Sequence, residues 1–133
     1  MTRILVDTSA YSAFMRGHKR IKLALQEAEH VRLCPIVLGE LRAGFRAGKQ
    51  GRENEQTLAK FLSSTRVDIL PIDQETAVAY AQIIAFLRGQ GTPIPANDVW
   101  IAACAMQHGL TLLTTDTHYE KVPQVMVEVF SAD

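Results

Sequence analysis

The sequence predicts an α/β protein, a three-layer α/β/α sandwich built around a mainly parallel sheet. Short apolar runs of strand length alternate with longer amphipathic segments of helix length along the whole chain. Alternation of this kind is typical of parallel strands joined by crossover helices. The helices cover both faces of such a sheet, so its strands are expected to be buried and apolar.

Five segments are predicted to form strands. The first holds Ile4, Leu5 and Val6 and runs directly into Asp7. Large aliphatic residues, two of them β-branched, favour a short buried strand. A second run of the same type, late in the chain, leads into Asp116. The predicted strands span residues 3–6, 31–33, 67–70, 110–115 and 125–129.

Six helices are predicted between these strands. Pro35 favours the start of one, Asp73 caps a long one, and Gly109 stops the last. The last helix is apolar nearly all round, so we expect it to lie within the core. The predicted helices span residues 9–15, 19–29, 35–47, 52–63, 74–89 and 99–108. In the long helix, the positions expected to face the core are Ala77, Tyr80, Ala81, Ile84 and Leu87.

Four acidic residues fall where these elements begin or end, or beside such an end. Asp7 and Asp116 close two strands, and Asp98 lies in the first turn of the last helix, where the helix dipole keeps a carboxylate ionised. Glu40 lies at the edge of the buried stripe of its helix. Ligands of open α/β sheets bind at the carboxyl ends of the strands. We therefore expect the four acids to converge there and form a metal site.

Each acid also has an ordinary explanation. Asp7 is suited to cap the following helix, and Asp98, or Asn97 beside it, is suited to cap another. Asp116 fits the closing position of a turn, and Glu40 fits a solvated or ion-paired helix position. These explanations do not account for four acids mapping to one end of one sheet with no cationic residue placed to neutralise them.

Length and composition fit one compact domain over residues 1–133. A chain of 133 residues buries enough surface for a sizeable core without disulfides. Cys34 and Cys104 lack metal-ligand spacing and are expected to be buried, reduced thiols. The chain carries no signal-peptide pattern and no apolar run of membrane-spanning length, so we expect a cytoplasmic protein.

The neutral net charge conceals a strong asymmetry. Residues 1–66 carry a balance of +6 and residues 67–133 a balance of −6. Such a basic half is able to hold a phosphate backbone beside an acidic metal centre. A solvated helix face, or a surface for an acidic protein partner, explains the same charges. Much of the positive excess lies in Arg16, Lys19, Arg20, Lys22, Arg42, Arg46, Lys49 and Arg52.

Four sequence blocks together resemble the PIN-domain ribonucleases, and most closely the VapC-type toxins of bacterial toxin–antitoxin pairs. The blocks occur in the family's order and nearly span the chain. They are residues 4–9 (ILVDTS), 35–41 (PIVLGEL), 97–103 (NDVWIAA) and 112–116 (LLTTD). The resemblance implies a PIN-like fold and a metal-dependent endoribonuclease that cleaves tRNA or rRNA. It also implies a homodimer and a cognate antitoxin that inserts a basic residue near the acidic site.

The resemblance also assigns roles to individual residues. Asp7, Glu40, Asp98 and Asp116 correspond to the acidic quartet that holds Mg²⁺ or Mn²⁺. The hydroxyl neighbours of this quartet would be Thr8, Ser9 and Thr115. The chain departs from the family after Asp116, where residues 117–119 read Thr-His-Tyr in place of the usual Asn or Arg followed by Phe.

The chemistry of the donors independently favours a hard cation. Four carboxylates, with no Cys and no His pair at ligand spacing, suit Mg²⁺ or Mn²⁺ better than Zn²⁺. In the expected reaction, a metal-activated water attacks a phosphodiester, and Glu40 completes the site as a ligand or a base. His18 and His118 are either phosphate contacts or incidental surface histidines.

Three other functions fit parts of the pattern. An aspartyl-phosphate phosphatase would also use a strand-end Asp, but Ser9 occupies the position of its usual second Asp. A PIN-type nuclease of RNA processing or DNA repair, with no antitoxin, would keep the same four acids. A non-catalytic module would use the acidic pocket only to dock a basic peptide, and would tolerate Asp to Asn changes at Asp7 and Asp98.

Overall fold

The computed structural model describes residues 2–132. The strands are β1 (Arg3–Val6), β2 (His30–Leu33), β3 (Val67–Ile69), β4 (Thr111–Thr114) and β5 (Met126–Val129). The helices are α1 (Thr8–Met15), α2 (Lys19–Glu27), α3 (Pro35–Ala47), α4 (Gly51–Leu62), α5 (Gln74–Gln90) and α6 (Ala96–His108). A short 3₁₀ helix at Thr117–Lys121 lies between β4 and β5.

The five strands form one parallel sheet in the order β3-β2-β1-β4-β5. The predicted α/β class with a parallel central sheet is therefore confirmed. In the register, Leu5 of β1 pairs with Leu112 of β4, so these two central strands end side by side. Asp7 follows the first and Asp116 lies two residues beyond the second, at the same edge of the sheet. That residues 1–133 form a single domain stays a prediction.

Helix α6 lies within the core, as its all-round apolar sequence predicts. Ala102, Ala103 and Cys104 are completely buried. Cys34 is also buried, and both thiols are free, as expected. The helix ends at Gly109, whose φ of 64° lies in the left-handed region that glycine adopts without strain. No helix within residues 2–132 is both long and apolar enough to cross a membrane.

The prediction of the buried face of α5 is wrong at most positions. Ala77 and Ala81 are exposed, Tyr80 and Ile84 are half-buried, and only Leu87 is fully buried. Apolar residues occupy most of the circumference of α5, so their spacing does not fix its orientation. Contacts with α6 decide it, through a stacked Tyr80–Trp100 pair with ring centroids 4.0 Å apart and a hydrogen bond from Thr76 to Gln107. The buried positions are Thr76, Ala79, Ile83 and Leu87.

Two predicted helix boundaries are displaced by two residues or more. Helix α2 ends at Glu27, two residues early, because the amide N–H of Glu29 already donates to the carbonyl of Thr2 beside β1. Helix α6 begins at Ala96, three residues early, because Pro95 occupies its N-cap position. Asp98 is therefore the third residue of the helix, still within its first turn.

Candidate metal centre

The four predicted acids line one pocket at the carboxyl edge of the sheet. The pocket has a volume of about 260 Å³. Four separate segments bring the carboxylates together: the ends of β1 and β4, the middle of α3 and the first turn of α6. The lining residues are Asp7, Thr8, Ser9, Glu40, Asp98, Ile101, Asp116 and Tyr119.

Asp7 is the most buried of the four, with only 3% of its surface exposed. Its Oδ1 accepts hydrogen bonds from the Ser9 hydroxyl and the Ala10 amide, both at 2.8 Å. Its Oδ2 accepts one from the Thr114 hydroxyl at 2.6 Å. Asp7 therefore does cap α1, as the ordinary explanation proposes, and it lines the pocket as well.

Burial raises the pKa of Asp7 to about 6, against the lowering effect of these hydrogen bonds. The negative charge of the nearby Asp98 raises the pKa further. Ionised Asp7 is therefore a carboxylate whose charge is poorly solvated. A cation in the pocket would relieve that cost.

Glu40 closes another side of the pocket. Its Oε1 accepts a hydrogen bond from the Thr8 hydroxyl at 2.5 Å, and its Oε2 accepts one from the Asn97 side-chain amide at 3.2 Å. Helix α3 is thereby tied to the first residue of α1 and to the first turn of α6. The sequence indicates only a helix-capping role for Asn97 and carries no signal of its contact with Glu40.

Asp98 and Asp116 face each other across His118. The His118 Nδ1 lies 3.2 Å from Asp98 Oδ2 and 3.1 Å from Asp116 Oδ2. The Tyr119 hydroxyl donates to Asp98 Oδ1 at 3.2 Å. Burial is the largest cause that raises the pKa of Asp98, and the negative charge of Asp116 adds to it. The hydrogen bonds from His118 and Tyr119 oppose the rise.

A ring nitrogen, that of His118, lies beside two of the four acids, a contact for which the sequence carries no signal. Asp116 caps the 3₁₀ helix by accepting from the His118 amide at 2.8 Å. This turn brings the His118 ring against Asp98 and Asp116. Asp7 and Asp116 can be read as strand-end acids from the sequence, but the direction of a ring two residues beyond Asp116 depends on that turn.

Two other sequence-based assignments need correction. The hydroxyl that holds Asp7 belongs to Thr114, whereas Thr115 contributes its backbone amide, which donates to the Ser9 hydroxyl at 3.0 Å. Successive strand side chains point to opposite faces, so a shift of one residue exchanges the two roles. His18 is a structural residue: its Nδ1 accepts from the Ile21 amide, and its Nε2 bonds the Ser131 carbonyl.

The donor set fits a divalent metal ion. Carboxylate oxygens are the preferred ligands of hard cations. Ligand atoms of Asp98, Asp116 and His118 all lie within 4.8 Å of one another. Asp7 and Glu40 line the same pocket but direct their oxygens to neighbouring hydroxyl and amide groups.

The fold and the acidic pocket together define the class of this protein. The chain matches the family model of the PIN domain over residues 4–125, and it belongs to that family. It is 35% identical to ribonuclease VapC4 of Mycobacterium tuberculosis over 92 residues, which cover 69% of this chain and 71% of the relative. It is 35% identical to toxin FitB of Neisseria gonorrhoeae over 122 residues, covering 86% and 88%.

Among solved structures, the fold is similar to VapBC-5 from Mycobacterium tuberculosis, a member of the VapBC family of toxin–antitoxin systems. The TM-score is 0.75 at 25% identity, and the match covers 98% of this chain and 100% of the other. The resemblance to PIN-domain proteins and to VapC-type toxins, inferred from four short blocks, is therefore confirmed.

Proposed function

We propose that this chain is the toxin of a toxin–antitoxin pair, and that it inhibits translation as an endoribonuclease that cleaves tRNA or rRNA. The observation that carries the proposal is the convergence of four carboxylates, from four separate segments, in one pocket. The names of its relatives, a ribonuclease and a toxin, support the reaction and the biological role.

The metal in this proposal is Mg²⁺, with Mn²⁺ as the alternative. Asp7, Asp98 and Asp116 would hold it, directly or through water, and Glu40 would complete the site. A divalent ion bound there would polarise the phosphodiester and generate a nucleophile from water at neutral pH. Both ions accept carboxylate and water ligands.

The chain's own residues then have distinct tasks. Thr114 and Ser9 hold Asp7 in one orientation, so its oxygens need no rearrangement when the pocket fills. Glu40 is fixed from both sides by Thr8 and Asn97, which places a carboxylate beside the pocket to orient or deprotonate a water. These contacts reduce the reorganisation that catalysis requires.

The basic half of the chain supports an RNA substrate. Arg16, Lys19, Arg20 and Lys22 are all exposed. Exposed cations of this kind bind the phosphate backbone without reading sequence. The same surface is available to an acidic protein, so the choice between tRNA and rRNA needs a direct measurement.

The proposal includes protein partners. VapBC-5 is a member of a family of toxin–antitoxin systems. By analogy, a cognate antitoxin would bind this chain. The family resemblance implies that the antitoxin would place a basic residue near the acidic pocket. We also propose a homodimer. The RNA substrates place the enzyme in the cytoplasm.

The test is to incubate antitoxin-free protein with total cellular RNA in Mg²⁺ and to map new 5′ ends. An EDTA control and the Asp98→Asn variant should both abolish discrete cuts. Asp68→Asn is the matched control, because Asp68 is an exposed acid on the edge strand β3 that pairs with Arg32. It should leave the cuts unchanged.

Other outcomes point to other functions. Cuts in DNA rather than RNA would favour a PIN-type nuclease of DNA repair. Discrete RNA cuts from a chain that binds no antitoxin would favour RNA processing. A folded protein that cuts neither, and that tolerates Asp98→Asn with a modest loss of peptide binding, would be a binding module.

A further inference from the structure

His118 adds a nitrogen atom to a group of potential metal ligands that are otherwise carboxylate oxygens. Its Nδ1 lies 3.2 Å from Asp98 Oδ2 and 3.1 Å from Asp116 Oδ2. Its side chain is 44% exposed, so the ring is open to solvent beside these two carboxylates. Three potential ligand atoms from three residues are thereby gathered on one side of the site.

The two spacings from His118 Nδ1 to the carboxylate oxygens match those of neighbouring ligands on one ion. In an octahedral site with bonds of about 2.1 Å, adjacent ligand atoms are about 3.0 Å apart. The distances from His118 Nδ1 to the two carboxylate oxygens, 3.2 Å and 3.1 Å, are close to that value.

The contacts behind these atoms keep them in place. The Tyr119 hydroxyl donates to Asp98 Oδ1, which leaves Oδ2 directed at His118. The His118 amide donates to Asp116 Oδ1, which leaves the other oxygen of Asp116 directed at the same ring. Each carboxylate therefore uses one oxygen for orientation and presents the second to the shared position.

We propose that His118 is a metal ligand through Nδ1, and that this nitrogen makes the site select Mn²⁺ over Mg²⁺. The proposal rests on the metal-dependent nuclease proposed above and names the ion that the site takes. Imidazole nitrogen binds first-row transition metals well, whereas Mg²⁺ prefers oxygen ligands. The two carboxylates alone would accept either ion.

The alternative role for His118, as a hydrogen-bond donor only, predicts different observations. A ring that only donates a hydrogen bond to the two carboxylates would hold them in place with no bond to the ion. The His118→Asn variant separates the two roles, because an Asn amide can donate a similar hydrogen bond but offers no imidazole nitrogen. His30→Asn is the matched control, since the His30 side chain is similarly exposed, at 42%, and lies on β2.

The experiment is pulsed electron paramagnetic resonance of Mn²⁺ bound to the full chain, with titrations of Mn²⁺ and Mg²⁺. The unmodified chain and His30→Asn should show coupling to a directly bonded ¹⁴N and should favour Mn²⁺ by at least about tenfold. His118→Asn should lose the ¹⁴N coupling and at least about tenfold of its Mn²⁺ affinity, with little change for Mg²⁺.

The outcomes also separate this inference from the proposed nuclease. Mn²⁺ that binds in an Asp98-dependent manner without nitrogen coupling overturns the role of His118 and leaves the nuclease proposal standing. Nitrogen coupling in a protein that leaves RNA intact in both Mn²⁺ and Mg²⁺ supports the ligand and overturns the nuclease. A folded chain that binds neither ion overturns both.

Discussion

The two sides of the acidic pocket are built differently. On the β1 side, Asp7 is 3% exposed and is held by two hydroxyls and a backbone amide. On the opposite side, the side chains of Asp98 and Asp116 are 16% and 33% exposed and face an exposed histidine ring. The carboxylate of the first side is held by the folded core, whereas the carboxylates of the second side are more accessible to solvent and ions.

This difference separates two requirements of a metal site. A ligand fixed in the core gives the site its geometry, but its buried charge is unfavourable when no cation is present. More exposed ligands exchange water and ions more easily and cost less when the pocket is empty. Stability should therefore respond mainly to changes on the β1 side, and ion affinity to changes on both sides.

The largest contrast is expected for Asp7→Asn. RNA cleavage should fall by at least about a hundredfold, because a buried carboxylate ligand is lost. The free energy of unfolding of the metal-free protein at pH 7.5 should rise by about 1–2 kcal/mol, because the variant no longer buries that charge. Urea unfolding in EDTA and a cleavage assay measure the two effects. A variant less stable than the unmodified chain would show that the Asp7 charge is already compensated without a metal.

The pH dependence of stability provides the next test. The pKa of Asp7 is raised from 3.8 to about 6 in the folded state, so between these values the folded protein binds more protons than the unfolded chain. Stability from this residue is therefore present at low pH and is lost as the pH rises through about 6. The cost should approach about 3 kcal/mol by pH 7.5, because each pKa unit of the rise corresponds to about 1.4 kcal/mol.

The contribution of Asp7 to stability is measured as a difference in the free energy of unfolding. The two proteins compared are the metal-free unmodified chain and the metal-free Asp7→Asn variant. Their free energies of unfolding should diverge mainly between pH 3.8 and about pH 6, with little further change above that range. Saturating divalent metal should restore the stability of the unmodified chain. A difference that does not change with pH would contradict the raised pKa of Asp7.

A smaller effect is expected from the hydroxyl that holds Asp7. Thr114→Val removes a hydrogen bond of 2.6 Å to a buried carboxylate, which should cost about tenfold in metal affinity. Thr115→Val is the matched control, because Thr115 contributes through its backbone amide, which valine retains. Calorimetric titration with Mn²⁺ compares the two variants. Equal losses of Mn²⁺ affinity in both variants would show that the Thr114 hydroxyl has no special role.

The smallest effect is expected on the open side. Tyr119→Phe removes the hydrogen bond of 3.2 Å to Asp98 Oδ1 and retains the buried ring. We expect metal affinity to fall by about threefold, since outer contacts of this length position a ligand without replacing it. The same titration measures it. A loss of metal affinity as large as that of Thr114→Val would show that both sides of the pocket depend equally on hydrogen bonds that orient their carboxylates.

The sequence alone determined the fold class and the four acids, because both depend on local patterns. Apolar runs and their spacing identify strands and helices, and an acid directly after a parallel strand must lie at the carboxyl edge. The apolar run from Ile4 to Val6 therefore predicted strand β1. Pro35 predicted the start of α3, and Gly109 predicted the end of α6. The same patterns predicted, without any measured distance, that four acids converge at one edge of the sheet: Asp7, Glu40, Asp98 and Asp116.

The tertiary structure alone decided how those acids are surrounded. The 3₁₀ turn after Asp116 brings His118 against Asp98 and Asp116. A shift of one residue along the strand gives the contact with Asp7 to Thr114 instead of Thr115. The buried face of α5 likewise follows from its packing against α6. Such features depend on backbone turns and on contacts between distant segments, and local residue patterns carry no information about either.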